Sequence, residues 1–145
     1  MKITNELIQY SNQWVNPIYE RQLDLKGNKF STIENLGATL DFFNCIDLSD
    51  NEISRLSNFS LLKKLTSLLI CNNRIQKIAD LSHSLPNLQN LMLTNNKIQD
   101  LSELDNLSNC SRLLRLCLIN NQVTQHKDYR LYVISRIPSL KVLDF

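Results

Sequence analysis

Leu68-Leu69-Ile70-Cys71-Asn72-Asn73-Arg74-Ile75-Gln76-Lys77-Ile78 is the stretch that decides how this chain folds. Apolar residues stand at 68 and 70, an asparagine at 73, and further apolar residues at 75 and 78. The same phrase returns as Leu23/Leu25/Asn28/Phe30/Ile33 and Ile46/Leu48/Asn51/Ile53/Leu56. It returns again as Leu91/Leu93/Asn96/Ile98/Leu101 and Leu116/Leu118/Asn121/Val123. Successive asparagines are 23, 22, 23 and 25 residues apart.

A phrase of that form and period is a leucine-rich repeat. Each copy reads as a short strand, a tight turn and a return segment. Side chains alternate along a strand, so the two apolar residues point inward and the residue between them points outward. The asparagine sits at the turn, where its amide can both donate to and accept from backbone groups left without partners. One repeat cannot bury its apolar face alone, so the copies must stack. The expected fold is α/β: a leucine-rich repeat solenoid, a right-handed horseshoe with a parallel concave sheet and helical caps at both ends. Residues 1–145 form a single domain, with an N-terminal cap at 1–20, five repeats at 21–124 and a C-terminal cap at 125–145.

The caps follow from the need to cover the two open ends of a solenoid. Thr4 can cap a short helix with Glu6 in its first turn. Ile3, Leu7 and Ile8, then Trp14, Val15 and Ile18, are expected to pack on the first repeat. Glu20 departs from the template, since later copies carry Phe43, Leu65, Leu88 and Leu113 there. After Val123 the rhythm breaks. Asp128 is placed to cap a helix running to about Ile137, with Tyr129, Val133 and Ile137 on one face. Pro138 ends that helix, and Leu140 and Leu143 resemble a partial last strand. The chain stops at Phe145 directly after this cap, as a trimmed chain would.

Sixteen basic and 14 acidic side chains leave a net charge of +2, which does not suit a free-standing nucleic-acid binder. Cys45, Cys71, Cys110 and Cys117 contain no Cys-x-x-Cys pair, so no metal or redox site is expected. They read as reduced packing thiols. With no signal-peptide pattern and no membrane-length apolar run, the chain reads as intracellular. His83 and His126 have no nucleophile or carboxylate near them in repeat register, and no Gly-rich phosphate loop exists. No enzyme and no cofactor are expected.

The outward strand positions can be read off in register. They are Gln22, Asp24 and Lys26, then Cys45, Asp47 and Ser49, then Ser67, Leu69 and Cys71. Asn90, Met92 and Thr94 follow, then Arg115, Cys117 and Ile119, and the face is read as continuing through Asp50, Asn72, Asn95 and Asn120. The middle column runs Asp24, Asp47, Leu69, Met92, Cys117: acidic at one end and apolar along the rest. An apolar patch on a face normally polar marks an interaction site, and an amphipathic helix with basic residues at one end would match it. Basic residues cluster at Lys26/Lys29, Lys63/Lys64, Arg74/Lys77, Arg112/Arg115 and Lys127/Arg130, and solvated charge is their default reading.

Several stretches go beyond the repeat template: Ile33-Glu34-Asn35-Leu36-Gly37-Ala38-Thr39-Leu40-Asp41, Ile46-Asp47-Leu48-Ser49-Asp50-Asn51-Glu52-Ile53, Tyr129-Arg130-Leu131-Tyr132-Val133-Ile134, Val142-Leu143-Asp144-Phe145 and Leu23-Asp24-Leu25-Lys26-Gly27. With them the chain resembles, over residues 1–145, the A-prime family of the spliceosomal U2 small nuclear ribonucleoprotein. The resemblance implies a nuclear, non-enzymatic protein. It implies a partner of the B-double-prime type, an RNA-recognition-motif protein whose first helix lies across the concave sheet. The pair would recognise a hairpin loop near the 3′ end of the U2 snRNA and support splicing. By position, Gln22, Asp24, Asp47, Ser49, Leu69, Cys71, Met92, Thr94, Cys117 and Ile119 would face the partner. Arg21, Lys26 and Lys29 are the weaker candidates for contact with RNA phosphates. The competing reading is a generic intracellular leucine-rich repeat adaptor for another protein. It accounts for the repeats but not for Ile33 to Asp41.

Overall fold

The computed structural model describes residues 1–145, and the repeats stack as their period requires. Helix α1 (Asn5–Tyr10) and strand β1 (Gln13–Val15) open the chain. The concave strands are β2 (Arg21–Asp24), β3 (Cys45–Asp47), β5 (Ser67–Leu69), β7 (Asn90–Met92), β8 (Arg115–Cys117) and β9 (Val142–Leu143). On the opposite side, β4 (Arg55–Leu56) pairs with β6 (Lys77–Ile78), and helix α2 (Tyr129–Arg136) precedes β9. The concave sheet has seven strands in the order β1-β2-β3-β5-β7-β8-β9. From β2 to β9 every pairing is parallel, and equivalent repeat positions sit side by side: Asp24, Asp47, Leu69, Met92 and Cys117 form one row.

Two ladders run along the turns. Asn51 Oδ1 accepts from the Asn28 and Phe30 amides at 2.9 and 3.1 Å, and its Nδ2 donates to the Leu25 and Leu48 carbonyls at 3.1 and 2.9 Å. Asn73, Asn96 and Asn121 repeat the arrangement one step on, and all four amides are buried. Asn28 has no earlier repeat to bond and stays half-buried, its Nδ2 donating to Leu25 and Lys26 carbonyls. The second ladder corrects the sequence reading. Asp50, Asn72, Asn95 and Asn120 do not extend the strands. They turn in the left-handed region at φ 57°, 56°, 58° and 60°, with Gly27 at 67° in the same register. Glycine, asparagine and aspartate tolerate that conformation best. The Asn72 amide donates to Asp50 at 2.8 Å and the Asn95 amide to Asn72 at 2.9 Å.

The inward residues of every repeat join one core of 35 buried side chains, from Ile3 to Leu143. Each buried Leu or Ile contributes about 1.5–3 kcal/mol by leaving water, so stacking is the main source of stability.

The convex edge is closed by side chains. Glu103 accepts the Ile78 amide at 2.9 Å and Asn106 donates to the Ile78 carbonyl at 2.6 Å. Both lie in the 3₁₀ segment Leu101–Leu107, which stands where a third convex strand would pair.

The caps differ in part from expectation. Thr4 does cap α1, accepting from the Leu7 amide at 3.1 Å, and Ile3 and Ile8 are buried. Trp14, Val15 and Ile18 do not pack inward: they are 41%, 60% and 69% exposed. Residues 13–15 add an antiparallel strand to β2, with Trp14 opposite Gln22, so the cap is completed by backbone pairing rather than a second apolar layer. At the other end Tyr129, Val133 and Ile137 are buried as read. Asp128 precedes α2, yet its side chain makes no capping bond.

Candidate functional site

The row structure decides which outward side chains a partner could touch. Parallel strands lie about 4.8 Å apart, so outward side chains of adjacent repeats press on one another. Asp47, Ser49 and Cys117 are therefore buried, while Gln22, Asp24, Leu69, Cys71, Met92 and Thr94 are half-buried and Ile119 is 42% exposed. The face is partly self-satisfied. Asp24 and Asp47 each accept the amide two residues on, from Lys26 and Ser49, at 2.9 Å. The Ser49 hydroxyl accepts the Cys71 amide at 3.1 Å, and the Thr94 hydroxyl and Cys117 thiol lie 3.1 Å apart. Those two carboxylates are fixed in orientation and offer the solvent only their remaining lone pairs.

Below the middle row lies a hollow of about 440 Å³ on the concave side. Leu69 and Met92 supply its apolar wall, Cys45, Ser67 and Asn90 line it beside them, and Ile18, Glu20 and Arg115 border it. Glu20 was read from sequence only as a terminal irregularity. Its carboxylate accepts from the Thr66 hydroxyl at 2.6 Å, the Asn16 amide at 3.2 Å and the Ser67 hydroxyl at 3.5 Å, which draws it across to the start of β5. The signal for it was present: an acid at a position that is apolar in every later repeat. Burial, then the Glu20 and Asp47 carboxylates, pushes the Cys45 thiol up to about 12, so it stays protonated. All four cysteines are free thiols.

Arg21, Lys26 and Lys29 are exposed. Arg21 is not loose, for its guanidinium stacks 4.2 Å from the centroid of Phe42, itself edge-on to Phe43. Sequence reasoning assigned Phe42 no role. Of the other basic clusters, Arg74 and Lys77 are occupied by carboxylates: Arg74 pairs with Glu52 at 3.6 Å and Lys77 with Glu103 at 3.3 Å. His126 Nε2 lies 3.0 Å from the Gln99 carbonyl on the outer side, away from the concave rows.

Comparison with known proteins adds the following. Residues 1–145 match the Leucine-rich repeat family. The chain is 49% identical over its whole length to the human U2 small nuclear ribonucleoprotein A' and 51% identical to that of Arabidopsis thaliana. It spans 57% and 59% of those two proteins. Among solved structures it superposes with a TM-score of 0.98 and 46% identity on a chain of the Drosophila melanogaster SNF/U2A' complex, covering all of this chain and 84% of that one.

Proposed function

Because the chain belongs to the leucine-rich repeat family and, within it, to the U2 small nuclear ribonucleoprotein A' proteins, we propose that it is a spliceosomal binding component whose concave face clasps a helix of an RNA-recognition-motif protein. The observation that carries this reading is the apolar-walled hollow on a face otherwise polar, with Leu69 and Met92 only half-buried. Such a patch loses area from water when an amphipathic helix lies on it. That so similar a chain was solved in complex with SNF supports a protein partner.

The partner is of the B-double-prime type, and the pair recognises a hairpin near the 3′ end of the U2 snRNA. The recognition module stacks the loop bases, which a single-stranded loop can splay out. This chain contributes rigidity to the module's helix and a few phosphate contacts from Arg21, Lys26 and Lys29. It acts in the nucleus, without catalysis and without a cofactor.

A gel shift with that hairpin tests the reading, using this chain alone, a B-double-prime-type protein alone, and both. A shift that tightens or becomes selective only with both proteins supports it. Strong binding by this chain alone would point to autonomous RNA recognition. No complex with either component would leave a generic leucine-rich repeat adaptor.

A further inference from the structure

We propose that the N-terminal flank, on the side where the concave strands begin, docks an extended acidic segment of a further protein. One apolar side chain of that segment enters the notch between Trp14 and Phe42, and its carboxylates meet Lys63 and Lys64. The surface is separate from the concave hollow and does not depend on what fills it.

The notch encloses about 270 Å³ and is lined by Gln13, Trp14, Val15, Arg21, Phe42 and Phe43. Pockets that take a whole small ligand run from about 300 to 1,000 Å³, so this one suits a single anchoring side chain. Trp14, Val15 and Phe42 are exposed, whereas Phe43 belongs to the core. A strained turn presents Phe42. Leu40 and Asp41 are both left-handed, at φ 55° and 52°. A bulky side chain avoids that region, and strained backbone persists only where its surroundings hold it. The Asp41 carboxylate does so here, accepting the Lys63 and Lys64 amides at 3.2 and 3.0 Å. The turn leaves Leu40 86% exposed and sets Phe42 against the Arg21 guanidinium.

Charge names the occupant. The Arg21 amide donates to Asn44 Oδ1 at 3.1 Å, and Asn44 Nδ2 donates to the Lys64 carbonyl at 3.3 Å, so the rim runs unbroken from the notch to the two lysines. Both lysines are exposed, and neither belongs to the chain's three ion pairs. The acids beside them are engaged: Asp41 by the two amides, Glu20 by the Thr66 and Ser67 hydroxyls. A segment carrying carboxylates therefore meets uncompensated positive charge next to an apolar notch. Adjacent strands stand about 4.8 Å apart, so Lys64, just ahead of β5, lies roughly 10 Å along the rim from Arg21 at the start of β2. An extended chain covers that distance in about three residues, which sets an acid about three places from the anchor. A phosphate backbone would use the lysines but leave Val15 and Leu40 uncovered, which favours a peptide over RNA.

Trp14 is the only tryptophan of the chain, so its fluorescence reads the notch directly. The probes are short blocked peptides with Leu, Phe or Tyr at the centre and Asp or Glu on both sides. At low salt at least one is expected to shift the Trp14 emission to the blue, with half-saturation below about 1 mM, and added salt should weaken it. Peptides with Lys in place of the acids, or Ala at the centre, should bind about tenfold more weakly or worse. Phe42→Ala removes one wall of the notch, and the double variant Lys63→Gln/Lys64→Gln removes the charge. Both change exposed side chains, urea unfolding checks that the fold is kept, and each should weaken binding about tenfold. Met92→Glu should leave peptide affinity unchanged. Emission that no acidic peptide moves overturns the proposal, and so does wild-type affinity in the double lysine variant. Loss of peptide binding in Met92→Glu would place the peptides on the concave face and overturn it as well. Saturation by an oligouridylate at lower concentration than by any peptide overturns it in favour of RNA.

Discussion

A single asparagine holds each turn. Asn73 Oδ1 accepts the Ile53 amide at 3.0 Å, and its Nδ2 donates to the Leu48 and Cys71 carbonyls at 3.0 and 3.1 Å. Replacing it by alanine leaves the buried Ile53 amide unpaired, at about 1–3 kcal/mol, and removes one donor each from the Leu48 and Cys71 carbonyls, which keep the Asn51 Nδ2 and the Asp50 amide. Asn73→Ala should therefore lose about 3 kcal/mol in urea unfolding, while the half-buried Asn28→Ala should lose about 1 kcal/mol or less. Equal losses would show that the ladder is not what stabilises the turn. A second prediction concerns pH. Cys45 is raised to about 12 and Cys110 to about 11, both mainly by burial, from an unfolded value of 9.0. Below pH 9 the thiols are protonated in both states and their contribution is intact. As pH rises from 9 toward 12 the unfolded chain ionises first and that stability is lost. Cys45→Ala should make the decline in unfolding free energy over this window shallower, and an unchanged slope would dismiss the thiol as its source. The asparagines at the turns were legible because their period is rigid. The left-handed residues beside them were not, because Asp50, Asn72 and Asn95 also satisfy an outward strand position; only Gly27 in the same register hinted at the turn.

Elements here are too short to be stable alone, so each depends on what blocks or extends its edges. The concave strands were legible from the apolar-x-apolar phrase. Strand β1 was not: Gln13-Trp14-Val15 carries no alternation that buries a face, and all three residues are exposed. Its position is set by backbone bonds to β2, which composition does not encode. The convex edge was equally hidden, since Glu103 and Asn106 look like ordinary surface polars until their contacts with Ile78 are seen. Glu103→Ala removes both the acceptor for the Ile78 amide and the partner of Lys77. The ion pair is part-exposed and is worth at most about 1 kcal/mol. Losing the charged acceptor should bring the total to about 2 kcal/mol. Hydrogen exchange at the Ile78 amide should speed up with it. Protection as high as in wild type would mean that another group closes this edge.

The whole molecule is a one-dimensional stack with a single continuous core, so its surface and its stability can be altered separately. Adjacent residues of one repeat make the test. Leu93 is fully buried, whereas Met92 is half-buried on the concave side. Leu93→Ala opens a cavity and should cost roughly 2–5 kcal/mol. It should leave partner affinity nearly unchanged wherever the chain remains folded. Met92→Glu puts a charge against the apolar wall of the hollow. It should change stability by no more than about 1 kcal/mol, yet abolish binding of a B-double-prime-type protein, because an unpaired carboxylate would have to be desolvated at the centre of the contact. Chemical unfolding and calorimetric titration of the two variants read the two quantities independently. Binding that survives Met92→Glu would move the functional surface off the concave rows. The exposed cluster of Arg21, Trp14 and Phe42 on the N-terminal flank would then be the next place to look.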